Sequence, residues 1–121
     1  MLRIAPFKSD AEHVVPLEVD GDIGAQDFSN IVSTIEKRLE QHDRLRLYVE
    51  IKSLGGMSAS TVFSELKDSI KHWDRFDKLA VVTDVEGVRT ATTVIDKLAP
   101  KLECKTYRFD ERESAQQWVM A

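Results

Sequence analysis

Apolar and polar positions along the chain alternate between a period of two and a period near 3.6, and the changes of period mark out its elements. Leu45, Leu47, Val49 and Ile51 alternate with Arg46, Tyr48, Glu50 and Lys52, the pattern of a strand with unlike faces. Phe28, Ile31, Val32, Ile35 and Leu39 recur at helical spacing instead, with Asn30, Glu36, Lys37, Arg38 and Glu40 on the polar side. A second helical stripe, Ala59, Val62, Phe63, Leu66, Ile70 and Trp73, follows Ser58, whose hydroxyl suits an N-cap. Residues 79–82, Leu-Ala-Val-Val, form a continuous apolar run, as a central strand buried on both faces requires.

The remaining segments complete an alternating order. Residues 1–6 and the run Val14, Val15, Leu17 and Val19 read as two opening strands. Pro16 interrupts the second, and a residue without an N–H belongs at a sheet edge, so this strand or its first half is expected there. Val88, Ala91, Ile95 and Leu98 suggest a third helix that Pro100 ends. A strand over residues 104–109 follows, and Asp110 with Glu113 has the spacing of a capping box opening a last helix that carries Ala115, Trp118 and Val119. The order β-β-α-β-α-β-α-β-α predicts an α/β fold: a mixed, mostly parallel sheet of about five strands with four helices packed on it.

Composition then narrows the class. A chain of 121 residues hides about two-thirds of its unfolded surface on folding, enough for one core, so residues 1–121 are expected to form a single domain. Hydrophobic residues at 42% and charged residues at 31% exclude the disordered class. The net charge of −4 argues against nucleic acid as a partner, which calls for a cationic face. No apolar run approaches the ~20 residues of a membrane span, and residues 1–8 lack a signal-peptide core, so a cytoplasmic protein not integral to a membrane is expected. One cysteine, Cys104, and three scattered histidines, His13, His42 and His72, supply neither a disulfide nor a zinc cluster, and no metal or cofactor is expected.

In parallel sheets, ligands gather outside the carboxyl ends of the strands, which here directs attention to four loops. Asp20 and Asp22 at one strand end and Asp84 and Glu86 at another have the chemistry to hold Mg²⁺ or to transfer protons if the fold brings them together. Otherwise they solvate turns and helix starts. Gly55-Gly56-Met57-Ser58 before a helix has the makings of an anion-binding nest, yet it lacks the lysine of a P-loop and the spacing of a dinucleotide fingerprint. Lys67, Lys71, His72 and Arg75 are interleaved with Glu65, Asp68, Asp74 and Asp77 and read as a solvated face.

Two longer stretches carry a family resemblance. Residues 72–84, His-Trp-Asp-Arg-Phe-Asp-Lys-Leu-Ala-Val-Val-Thr-Asp, and the closing pattern from Phe109 through Trp118-Val119 resemble the SpoIIAA-like branch of the STAS superfamily, as does the segment Glu18 to Ile23. The resemblance implies a layered αβ domain related to anti-sigma-factor antagonists and to the CRAL-TRIO lipid carriers. Typical antagonists carry a phosphorylated serine at the start of the second helix. Alignment on the strand 47–51 puts Ala59 at that position, flanked by Ser58 and Ser60, so the usual phosphoswitch is not expected.

Taken with that resemblance, the residues predict a non-enzymatic domain that binds an apolar small molecule, of lipid or isoprenoid kind, or a protein partner. Phe63, Leu66, Ile70 and Trp73, with Val88, Ile95 and Leu98, are the candidate lining of an apolar site. Gly55, Gly56, Met57, Ser58 and Ser60 are the candidate partner loop of an antagonist-like regulatory module. A carboxylate-based enzyme is the third reading, and pairing into a homodimer is open to any such domain.

Overall fold

A computed structural model describes residues 1–5, 7, 12–56, 58–85 and 102–121. One sheet of five strands runs through them in chain order: β1 (Leu2–Ile4), β2 (Val14–Asp20), β3 (Leu45–Ser53), β4 (Phe76–Thr83) and β5 (Glu103–Tyr107). β1 is antiparallel to β2, and every later pair is parallel. Three helices accompany them among the described residues, α1 (Ala25–Leu39), α2 (Ala59–Ser69) and α3 (Arg112–Met120). The mixed, mostly parallel α/β architecture is thus the expected one, while the helix expected around Val88, Ile95 and Leu98 lies outside the described residues.

The period-two pattern decides which helix covers which face. Val15, Leu17 and Val19 of β2 share a core with Leu47, Val49 and Ile51 of β3 and with Leu79 and Val81 of β4. On this face lie Phe28, Ile31, Ile35 and Leu39 of α1 and Val62, Phe63 and Leu66 of α2. Consecutive parallel strands joined by right-handed crossovers put their connecting helices on one side, and that is where these two stripes are buried. Each fully buried Leu or Phe stabilises the domain by about 1.5–3 kcal/mol relative to exposure. The opposite face holds Val14, Tyr48, Ala80 and Val82, closed by Ala115 and Val119 of α3. Residues 79–82 are completely buried, between the two cores, as the apolar run required.

α3 is clasped at its carboxyl end by two strands and by the residue that precedes β2. Lys78 Nζ donates to Trp118 O at 3.0 Å, Arg46 Nη1 to Val119 O at 2.9 Å, and His13 Nε2 to Met120 O at 3.2 Å. The last carbonyls of a helix have no partner within it and carry the negative end of its dipole, so cationic donors are well placed there. Lys78 and Lys105 also flank the Trp118 ring, at 4.9 and 5.0 Å from its centroid.

One local expectation narrows and three change. β2 is an inner strand, and only its first half projects past β1: Ala5 N–H bonds to Pro16 O at 2.9 Å, so the missing N–H of Pro16 faces the end of β1, where the ladder stops. α2 ends at Ser69, because Ile70 is already extended, and Trp73 sits in a separate 3₁₀ turn over residues 73–75. From there its indole Nε1 donates 3.0 Å to Lys67 O, one of the carbonyls that α2 leaves open. The capping box at Asp110 and Glu113 is displaced as well: a 3₁₀ turn precedes α3, and Glu111 Oε1 accepts the Arg108 N–H at 3.1 Å. Arg75, read as part of a solvated face, instead donates to Leu39 O, His42 O and Asp43 O at 2.8–2.9 Å, tying the end of α1 to the start of β4.

Candidate functional site

The carboxyl ends of β2, β3 and β4 lie side by side, and their polar residues mostly hold the loops that leave them. Ser53 Oγ takes the Gly21 N–H at 2.8 Å and donates to Asp20 Oδ1 at 3.0 Å. Asp22 Oδ1 accepts the Gly56 N–H at 3.0 Å, which pins the loop after β3 against the loop after β2. Thr83 Oγ1 donates to Ile51 O at 2.8 Å and accepts the Val85 N–H at 3.0 Å. Asp84 Oδ1 accepts from Phe109 N–H at 3.4 Å.

Three of the four candidate catalytic carboxylates, Asp20, Asp22 and Asp84, therefore serve separate loops, and Glu86 lies outside the described residues. Among the described residues, no three His, Cys, Asp or Glu side chains are grouped to hold a metal ion.

The candidate partner loop is exposed and braced. Gly55, Gly56, Ser58 and Ser60 face solvent, and Met57 lies outside the described residues. Ser58 is the N-cap of α2, its Oγ accepting the Thr61 N–H at 3.1 Å and lying 2.8 Å from Thr61 Oγ1. Its hydroxyl is thus committed to the helix start.

The candidate apolar lining divides differently. Phe63, Leu66 and Ile70 are at most 3% exposed and pack into the core between α2 and the sheet, with Trp73 partly buried at its margin. Val88, Ile95 and Leu98 lie outside the described residues.

Sequence reasoning passed over a charged row on the α3 face of the sheet. Glu18 of β2 is the register partner of Glu50 of β3, and Arg3 of β1 is the partner of Glu18. Arg3 Nη2 stands 3.0 Å and Lys52 Nζ 3.1 Å from the Glu18 carboxylate, and Arg112 Nη1 stands 3.2 Å from Glu50 Oε1. The two carboxylates are 6% and 7% exposed, so each needs its partners. The available signal was that Glu18 and Glu50 sit at alternate positions of strands with otherwise apolar neighbours; their pairing depends on register, which sequence spacing does not disclose.

Burial of Glu18 acts to raise its pKa, but the hydrogen bonds and charges of Lys52 and Arg3 outweigh it and hold the carboxyl below its ordinary value of 4.5. A depressed carboxyl pKa stabilises the fold at pH values above the ordinary one, and the benefit disappears as pH falls through the folded-state value. In an Arg3→Met, Lys52→Met double variant, desolvation alone remains and the sign reverses. Urea midpoints measured from pH 7 to pH 3 should show the variant about 1–2 kcal/mol less stable at neutrality, a figure reduced for the half-exposed partners, with the gap closing in acid. A gap independent of pH would show that the pair does not govern Glu18. On the same face Tyr48 is wholly buried, its hydroxyl within 3.4 Å of Gln116 Nε2, and burial pushes its phenol far above the usual range.

Among the described residues, no helix is long and apolar enough to cross a membrane. A search of curated proteins and a search of solved structures each found no match. The sequence model of one family, described as SpoIIAA-like, matches residues 14–120, from the first residue of β2 to the last of α3. With the mixed sheet in strand order 1-2-3-4-5 and the helices on its two faces, that match shows that the chain belongs to the SpoIIAA-like family.

Proposed function

We propose that this domain is a regulatory interaction module that docks a protein partner through the loop after β3 and the first turn of α2. Membership in the SpoIIAA-like family points to a regulatory or interaction domain rather than to an enzyme. One observation carries the choice of surface: Gly55, Gly56, Ser58 and Ser60 are exposed, yet Asp22 holds the loop at Gly56 and the Ser58 cap holds the helix start. A surface held in place before binding loses less conformational freedom on docking. By analogy with the antagonist relatives, the partner is a kinase-like regulator, and the absence of a serine at residue 59 means that docking here is not switched by phosphate at that position. The buried state of Phe63, Leu66 and Ile70 favours this reading over an apolar carrier, since those side chains already fill the core.

Gly56 offers a clean test. Among the described residues, a Cβ there would meet nothing closer than Asp22 Oδ1 at 3.9 Å, an ordinary contact. Gly56→Arg should leave the melting temperature nearly unchanged while abolishing retention of the partner captured by the unmodified protein. A partner retained equally by both proteins would place the docking surface elsewhere. Native mass spectrometry after lipid extraction tests the carrier alternative, which uptake of a fatty acid or isoprenoid would revive.

A further inference from the structure

A groove of about 480 Å³ opens beyond the ends of β3 and β4, walled by Lys52, Asp84, Val85, Phe109 and Arg112. That volume lies within the range of small-molecule sites, which pair apolar walls with a few placed polar groups. Here Phe109 and Val85 supply the apolar wall, and Lys52 and Arg112 supply charged donors. Each cation is anchored from behind by a buried carboxylate, Lys52 by Glu18 at 3.1 Å and Arg112 by Glu50 at 3.2 Å. The two side chains nevertheless remain 50% and 49% exposed. An ammonium has three N–H donors and a guanidinium five, so both keep donors for a ligand. Long side chains already held by a partner lose less rotamer freedom when a ligand arrives.

Charge sets the ligand class. Lys52 and Arg112 offer only N–H donors, so the group that bridges them is an acceptor and best an anionic one, while among the described residues Arg3, Lys52 and Arg112 are balanced in number by Glu18, Glu50 and Asp84. Asp84 also lines the groove, so a second negative charge on the ligand would meet it. We infer that the groove binds a small organic monoanion, a carboxylate bridging Lys52 and Arg112 while its aromatic or apolar body lies against Phe109 and Val85. The site shares no residue with the docking loop and does not depend on it.

Phenylacetate titrated into the ¹⁵N-labelled full chain provides the test, with inorganic phosphate and benzylamine as comparators at the same ionic strength. Saturating amide shifts centred on Lys52, Val85, Phe109 and Arg112 are expected with phenylacetate alone. Arg112→Gln keeps an amide donor for Glu50 and should weaken binding about tenfold or more, the loss of one charge-assisted hydrogen bond. Lys52→Gln should act alike and serves if the first variant fails to fold. Shifts that stay linear to about 10 mM phenylacetate would overturn the assignment, because so weak an association marks no site. So would equal saturation by phosphate, or a Kd unchanged in both variants.

Discussion

Phe76→Ala is expected to remove about 3–5 kcal/mol of stability, lowering the melting temperature by roughly 10–20 °C. Phe76 opens β4, is 1% exposed, and packs its ring 5.4 Å from that of Trp73. Its neighbourhood joins three elements at once. Trp73 bonds to the end of α2, Arg75 holds the end of α1 through three carbonyls, and Phe76 itself pairs with Leu45 at the start of β3. Truncation leaves a cavity that this bonded frame cannot close, so the cost should fall at the upper part of the range for such substitutions. Phe76→Leu, which keeps most of the volume, should cost less than about 1.5 kcal/mol. Calorimetry on both variants checks the argument; a loss below about 1 kcal/mol for the alanine would mean that the junction relaxes around the gap.

Gly55→Val should cost about 2–4 kcal/mol and, with it, the shape of the loop that is proposed to dock a partner. Gly55 has φ +59°, a conformation that a β-branched residue adopts only under strain. A Cβ would also stand 2.3 Å from Asp22 Oδ1 and 2.9 Å from the Asp22 backbone nitrogen. The carboxylate oxygen can swing away, but the backbone atom cannot, and a displaced Asp22 would surrender its bond to the Gly56 N–H. Neighbouring glycines thus have opposite tolerances: Gly56→Arg should change stability by no more than about 0.5 kcal/mol. Urea unfolding of the two variants side by side reads the difference, and equal midpoints would show that the loop is not held by Asp22.

The contrast between those glycines marks how far a sequence is readable. The pair Gly55-Gly56 announced a turn, because glycine is the residue that reaches positive φ at no steric cost. Which of the two uses that freedom depends on Asp22, which lies more than thirty positions away in the chain. The carboxylates show the same limit. Asp20, Asp22 and Asp84 were visible as acidic residues at strand ends, but whether they converge on a ligand or hold loops is a question of distance, and they hold loops. Glu18 and Glu50 carried no distinguishing mark in the sequence and are 6% and 7% exposed, each secured by a cation from another strand or helix.

Periodicity by itself determined the order of the described strands and helices, the mostly parallel sheet and the apolar sides of α1 and α2, because a side chain's face follows from its position within one element. The Ser58 cap was likewise local, since its partner Thr61 lies three residues away. Helix ends were less legible: α2 stops at Ser69 although its apolar spacing runs on to Trp73, whose indole donates to Lys67 O from a separate turn. Tertiary structure alone decided the Glu18–Glu50 register, the clasp of Lys78, Arg46 and His13 on the end of α3, and the groove between Lys52 and Arg112. Each of these joins residues far apart in the chain, and only the pairing of strands and the packing of α3 on them bring such groups within bonding distance.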